Sequence, residues 1–247
     1  NIAIGATALK RVAAGSSENI GFGSSALVFL CGASCCNIAI GINAAFCLTT
    51  GFDNIAIGAG SQCFNTSGCT NIALGLTSLH CNLAGNCNIA IGQNSLRLTC
   101  VSANLAIGHC ALYSNTTGSS NVAVGICALS ANTTGPSNTA VGYLAGNTLT
   151  YGCNNAMLGC NAQPATTTSC NSITLGDANI AVLRSAQTSI TALSDCRDKT
   201  GICSIPVGLE FVRALHPVKF TWNMRDGAKV GVDDVGFIAQ ELDQVQS

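Results

Sequence analysis

Residues Asn121–Ser137 read NVAVGICALSANTTGPS, and the fold follows from how this stretch recurs. Val122 and Val124 point to one side of an extended segment and Ala123 to the other, because side chains alternate along a strand. Gly125 admits a bend that a Cβ would obstruct. Ala128-Leu129 returns apolar groups to the interior, and Asn132-Thr133-Thr134-Gly135-Pro136 has the composition of a turn. Working outward, the same apolar segment ending in glycine occurs eleven times at a spacing of 16 to 18 residues, at Gly5, Gly23, Gly41, Gly58, Gly75, Gly92, Gly108, Gly125, Gly142, Gly159 and Gly176. The residue four places earlier is Asn in ten of the eleven, from Asn1 to Asn155, and Ser172 in the last. A strict period of this length specifies a stacked array.

Stacking the units as parallel coils sets each Asn above the previous one, so the amides bond up and down the stack. The Ile or Val pairs form a continuous apolar column. Gly every ~17 residues, β-branched residues and NTTG turns oppose a helix. At ~4.8 Å per coil, eleven coils make a rod about 50 Å long. Three chains wound around one another would give a longer, thinner shaft, and the sequence leaves both arrangements open. A 17-residue coil is thin, and Ala at the middle strand position leaves a smooth apolar outer face that needs a cover. Self-association as a homotrimer is therefore expected. The fold class is an all-β repeat array of parallel β-roll or β-solenoid type, trimeric, followed by the start of a small α+β domain.

Charge marks the boundary. Residues 1–190 carry seven charged side chains and residues 191–247 carry fourteen, a change in density of about sevenfold. The expected division is a repeat shaft over 1–190 and a second segment over 191–247. The net charge of -1, without a Lys/Arg cluster, gives no sign of nucleic-acid binding. No apolar run approaches the ~18 residues of a membrane helix, so membrane insertion is not expected. The chain begins inside a repeat without an initiator Met, as expected for a piece of a longer protein.

Sixteen cysteines invite a disulfide or metal reading. There is no CxxC, and His80, His109 and His216 lie far apart, so neither zinc nor a cofactor is expected. Cys110 and Cys127 hold the same position in adjacent units, where Cα atoms ~4.8 Å apart fall within disulfide range. The alternative is that Cys substitutes for Ala or Ser as a small buried hydrophobe. Cys35, Cys36, Cys69, Cys87, Cys153 and Cys170 sit one or two places before an Asn or its equivalent. The sequons at Asn65, Asn115 and Asn132 arise from turn composition, and no sugar is expected on them.

The NIAIG and NTAVG units with NTTGSSN turns resemble the repeat shafts of phage tail fibres. More distantly they resemble the heads of trimeric autotransporter adhesins, which are left-handed parallel β-rolls. From Ser194 the text changes to SDCRDKTGI, then GLEFVRALHPVKFTW (Gly208–Trp222) and VGFIAQEL (Val235–Leu242). In that order these motifs resemble the start of the peptidase S74 family, the C-terminal intramolecular chaperone of tail spikes and fibres. The resemblance implies cleavage of the Leu193–Ser194 bond, with Ser194 as nucleophile, Lys199 as its base and Asp195 orienting the loop. A Lys serves as base only if burial or nearby cations lower its pKa, and Arg197 is close enough in sequence to contribute. No turnover enzyme is implied, only one autoproteolytic event.

Within this segment Gly208–Leu215 reads as a short amphipathic helix ended by Pro217, Val218–Trp222 as a strand and Met224–Val232 as a hairpin-type turn. Another element is expected to begin at Val235. The resemblance implies a virion tail fibre presenting a host-attachment surface to a cell-surface receptor or glycan, joined to other virion proteins through a preceding region. A bacterial surface adhesin head is the alternative, with the cell surface in place of the virion. A glycan-cleaving enzyme would need paired carboxylates, and the repeats offer Glu18, Asp53 and Asp177, widely separated in sequence.

Overall fold

The structure is a computed structural model describing residues 1–182, 217–223 and 230–236. The chain divides into two compact units, Asn1–Ile180 and Ala181–Ser247.

The first unit is a parallel β-solenoid. Eleven three-residue strands form one sheet in chain order: β1 (Ile2–Ile4), β2 (Ile20–Phe22), β3 (Ile38–Ile40), β4 (Ile55–Ile57), β5 (Ile72–Leu74), β6 (Ile89–Ile91), β7 (Leu105–Ile107), β8 (Val122–Val124), β9 (Thr139–Val141), β10 (Ala156–Leu158) and β11 (Ile173–Leu175). Every neighbouring pair is parallel and in repeat register, as in Val122↔Thr139, Ala123↔Ala140 and Val124↔Val141. Pairing between successive segments of one chain settles the arrangement as single-chain coils. Coil length varies without disturbing this register. Asn88 donates to the Val101 carbonyl thirteen residues on, where Asn121 reaches Gly135 fourteen on, so the shorter sixth coil loses its residue in the final corner.

The strand faces are the reverse of the sequence expectation. The middle residues Ala39, Ala56, Ala73, Ala90, Ala106, Ala123 and Ala140 are fully buried, whereas Ile57 is 38% and Val141 40% exposed. The cause is the thinness of the coil. Its interior already holds a column of leucines, among them Leu79, Leu96, Leu112 and Leu129, so only a methyl fits opposite them. The β-branched pairs are left on the outer face. Where the leucine column lapses at Gly146, the next coil supplies Met157 in place of alanine. A Cβ on Gly146 would lie 2.8 Å from the Met157 sulfur. Gln62 takes another leucine place and stays bonded, its amide nitrogen donating to the carbonyl of Ile55 at 2.9 Å and its oxygen accepting from Asn65 at 3.0 Å.

Buried asparagines carry the ladder. Each Oδ1 accepts the backbone N–H of the Asn one coil later, as at Asn104→Asn121 (3.0 Å) and Asn121→Asn138 (2.8 Å), and the Ser172 amide ends the series on Asn155 at 3.1 Å. Most of the amide nitrogens turn inward to a corner carbonyl, for example Asn138 to Gly152 at 2.8 Å, whereas that of Asn104 bonds the Ser102 carbonyl at 3.2 Å. Ten of the eleven strand-end glycines have φ between 118° and 142°, Gly176 having 72°. From Gly5 to Gly142 a Cβ would run into the carbonyl of the glycine one coil later. The glycine column is therefore required by the stacking itself as well as by the bend.

Two or three further positions per coil adopt left-handed backbone with ordinary residues, as at Cys110 (φ 54°), Leu112 (φ 50°) and Ser120 (φ 59°). Such residues cost about 1–2 kcal/mol each. The cost is offset because the same residues bond across coils: Leu112 N–H donates to Ala128 at 3.0 Å while its side chain is fully buried.

In the second unit, β12 (Val218–Asn223) pairs antiparallel with β13 (Val230–Gly236). The strand expected at Val218–Trp222 is present. Val235, expected to open a new element, lies inside β13 opposite Lys219. The helix expected at Gly208–Leu215 lies outside the described residues. Among the described residues no helix is long and apolar enough to cross a membrane.

Candidate functional site

The most extensive chemical feature of the described chain is the outer face of the eleven-stranded sheet. Strand positions one and three present two aliphatic columns, continued at the residue after each glycine by Ile42, Leu76, Ile126 and Tyr143, all exposed. Parallel sheets normally have both faces covered. Here the inner face is covered by the coil's own leucines and the outer face is bare.

The opposite strip of the coil carries corners of a different kind. Asn65, Asn115 and Asn132, the three sequon asparagines, are fully buried. Each bonds within its own corner, Asn132 donating to the Gly135 carbonyl at 2.9 Å and Asn65 accepting from Gly68 N–H at 2.8 Å. A glycosylating enzyme could not reach these amides without opening the coil. They form, with Asn82 and Thr99, a second buried polar column that composition alone read as a turn.

Thiols line two edges. Burial and the neighbouring thiols of Cys47 and Cys81 push Cys63 up to about 11. Hydrogen bonds to Cys35 and then to Glu18 push Cys36 up to about 12, its sulfur lying 3.4 Å from the Glu18 carboxylate. Such thiols hold their protons at neutral pH and are poor nucleophiles. Cys110 and Cys127 occupy the same position in adjacent coils, and burial first, then the Cys127 thiol, pushes Cys110 up. The Cys110 sulfur stands 3.6 Å from His109 Nε2. A closer pair is Cys153 and Cys170, with sulfurs 2.7 Å apart. Their common place before an Asn start was visible in the sequence, but not the approach of the two side chains.

Among the described residues no group of three His, Cys, Asp or Glu side chains converges as a metal site. On the β12–β13 hairpin, Asp233 receives Lys219 Nζ at 2.9 Å and the Thr221 hydroxyl at 2.7 Å. These bonds, that of Lys219 first, hold its carboxyl below the usual carboxylate range. Leu193, Ser194, Asp195 and Lys199 lie outside the described residues.

Residues 194–247 match the family model Peptidase_S74, described as the chaperone of endosialidase. The chain thus carries a chaperone-of-endosialidase domain of this family after a parallel β-solenoid. No curated protein and no solved structure matches the chain.

Proposed function

We propose that this chain is part of a virion tail fibre: a homotrimeric shaft for host attachment, assembled with the help of a self-cleaving intramolecular chaperone. The observation that carries the reading is the chaperone-of-endosialidase match at 194–247, following a roll whose sheet has a bare apolar face. A second copy covering that face explains why eleven coils keep aliphatic residues on the outside. Three such faces turned inward give a closed assembly with no unpaired apolar surface. The exposed strips of the trimer then face solvent along the shaft, where a host receptor or surface glycan is engaged. The site of action is the virion surface.

In the cleavage step a neutral Lys199 takes the proton of the Ser194 hydroxyl, whose oxygen attacks the Leu193 carbonyl. The C–N bond breaks as Lys199 passes that proton to the departing Ser194 amine, and water hydrolyses the resulting ester to the Leu193 carboxylate and the Ser194 hydroxyl. Asp195 orients the loop. Intact-mass analysis of the full chain beside Ser194→Ala and Lys199→Ala tests this. A cut wild type with two uncut variants is expected. Identical masses for all three would remove autoproteolysis from this chain.

A further inference from the structure

Cys153 and Cys170 occupy the same corner position of the ninth and tenth coils. The surrounding backbone holds them in register, with Asn171 N–H donating to the Cys153 carbonyl at 3.0 Å and the Asn154 amide to Asn171 Oδ1 at 2.9 Å. The two sulfurs lie 2.7 Å apart, and the Cys153 N–H points at the Cys170 sulfur from 3.0 Å. In the corners of earlier coils Cys87 is 3.2 Å from the Thr70 hydroxyl, and Cys36 bonds to Cys35 and to Glu18. The parallel pairing of β9 with β10 places equivalent Cα atoms one coil apart, at ~4.8 Å, within the 4.4–6.8 Å that a disulfide spans.

We propose that Cys153 and Cys170 form a disulfide that staples the ninth coil of the roll to the tenth. The oxidant is a low-molecular-weight disulfide of the glutathione type. Cys170, the more exposed of the two, loses its proton and attacks one sulfur of that disulfide, expelling one small thiol. The Cys153 sulfur then attacks Cys170 in the mixed disulfide and expels the second. Two protein thiols are oxidised by two electrons in all, and one small disulfide is reduced to two thiols, which carry away the protons. The bond closes a short loop near the C-terminal end of the array. There it opposes unwinding, since the tenth coil cannot lift from the ninth while it is intact.

The test uses the full chain, incubated folded with glutathione disulfide, blocked with iodoacetamide and digested with chymotrypsin without reduction. Cleavage after Tyr151 and Leu158 separates Cys153 from Cys160 and Cys170. The expected product is a cross-linked pair of peptides, two hydrogens lighter than their sum, with fragmentation placing the bond on Cys170 and Cys160 carrying the alkyl group. Amide exchange at Gly159 in the tenth coil should slow by about a hundredfold on oxidation, from the loop-closure effect. Separate alkylated peptides, a bond from Cys153 to any other cysteine, or a disulfide between two chains would each overturn the proposal.

Discussion

Replacing Gly92 by alanine should break the roll between its sixth and seventh coils, and the geometry gives the size of the effect. The new Cβ would lie 2.6 Å from the Gly108 carbonyl oxygen and 3.1 Å from the His109 nitrogen. Carbon–oxygen contacts between strands normally sit at about 3.3–3.6 Å, so the coils must part by roughly 0.7 Å. The nearby bonds from Gly108 N–H to Ile91 (2.7 Å) and from Ile89 N–H to Asn104 (2.9 Å) would stretch accordingly. Forcing an L-residue to φ +125° costs about 1–3 kcal/mol, and overpacking a further 1–3 kcal/mol, for a total of roughly 2–6 kcal/mol.

Gly15→Ala separates these causes. Its φ is +91°, but the nearest atom to a new Cβ is the Ala33 methyl at an ordinary 3.8 Å, which leaves the backbone strain of about 1–3 kcal/mol. Urea unfolding followed by circular dichroism should rank Gly92→Ala well below Gly15→Ala. Amide exchange should accelerate at Gly108 and Cys110, which bond across the damaged junction, and not at Gly142 or Leu144 further along. Equal destabilisation of the two variants, or unchanged exchange at Gly108, would show that the glycine column is not there to let carbonyls approach.

Asn121→Ala removes the acceptor of the Asn138 N–H while Gly135 keeps its second donor, Asn132. An orphaned buried amide costs about 1–3 kcal/mol, so exchange at Asn138 should quicken by about thirtyfold for a mid-range value, and an unchanged rate would count against the ladder. Ala123→Leu should destabilise the coil by about 1–3 kcal/mol through overpacking. Val124→Asp, on the outer face, should leave the coil folded and lower the sedimenting mass. Tolerance of the first together with unfolding by the second would reverse the assignment of inside and outside. Iodoacetamide should label Cys63 at pH 8 about a hundredfold more slowly than a thiol of ordinary pKa, with the rate climbing until the pH reaches about 11. Rapid labelling at pH 8 would mean the thiol is not buried as the coil requires.

The register was legible in the sequence because Asn and Gly mark it in every unit, four residues apart, and both are there for backbone reasons. The direction of the strand faces was not. Alternation tells which residues share a side, and bulk suggested that the Ile/Val pair lay inside. The decisive signal was present in the near-constancy of alanine between them, since a position that admits only a methyl is more confined than one that takes Ile, Leu, Val, Phe or Thr. The left-handed corners were illegible for a different reason. Leu112 and Leu129 are poor residues for positive φ, and nothing local recommends the conformation. It exists because the next coil supplies a carbonyl for each amide. The chaperone segment could be recognised from its motifs, whereas its Ser194–Lys199 pair lies outside the described residues.

The same dependence on neighbours links the two parts of the chain. Most backbone bonds of a coil run to the coil before or after it, about 17 residues away, so an isolated coil would meet its left-handed strain without the bonds that offset it. Repeats as alike as β3, β4 and β6 can also pair one coil out of step with little change in side-chain contacts, because each still sets Ile on Ile and Ala on Ala. The irregular units oppose such slips. Gln62, the shortened sixth coil and the Gly146–Met157 exchange each fit one register and not the next. A fold with costly nucleation and many near-equal registers is one for which an attached chaperone domain is physically useful. The finished ladder is held by the chain's own asparagines.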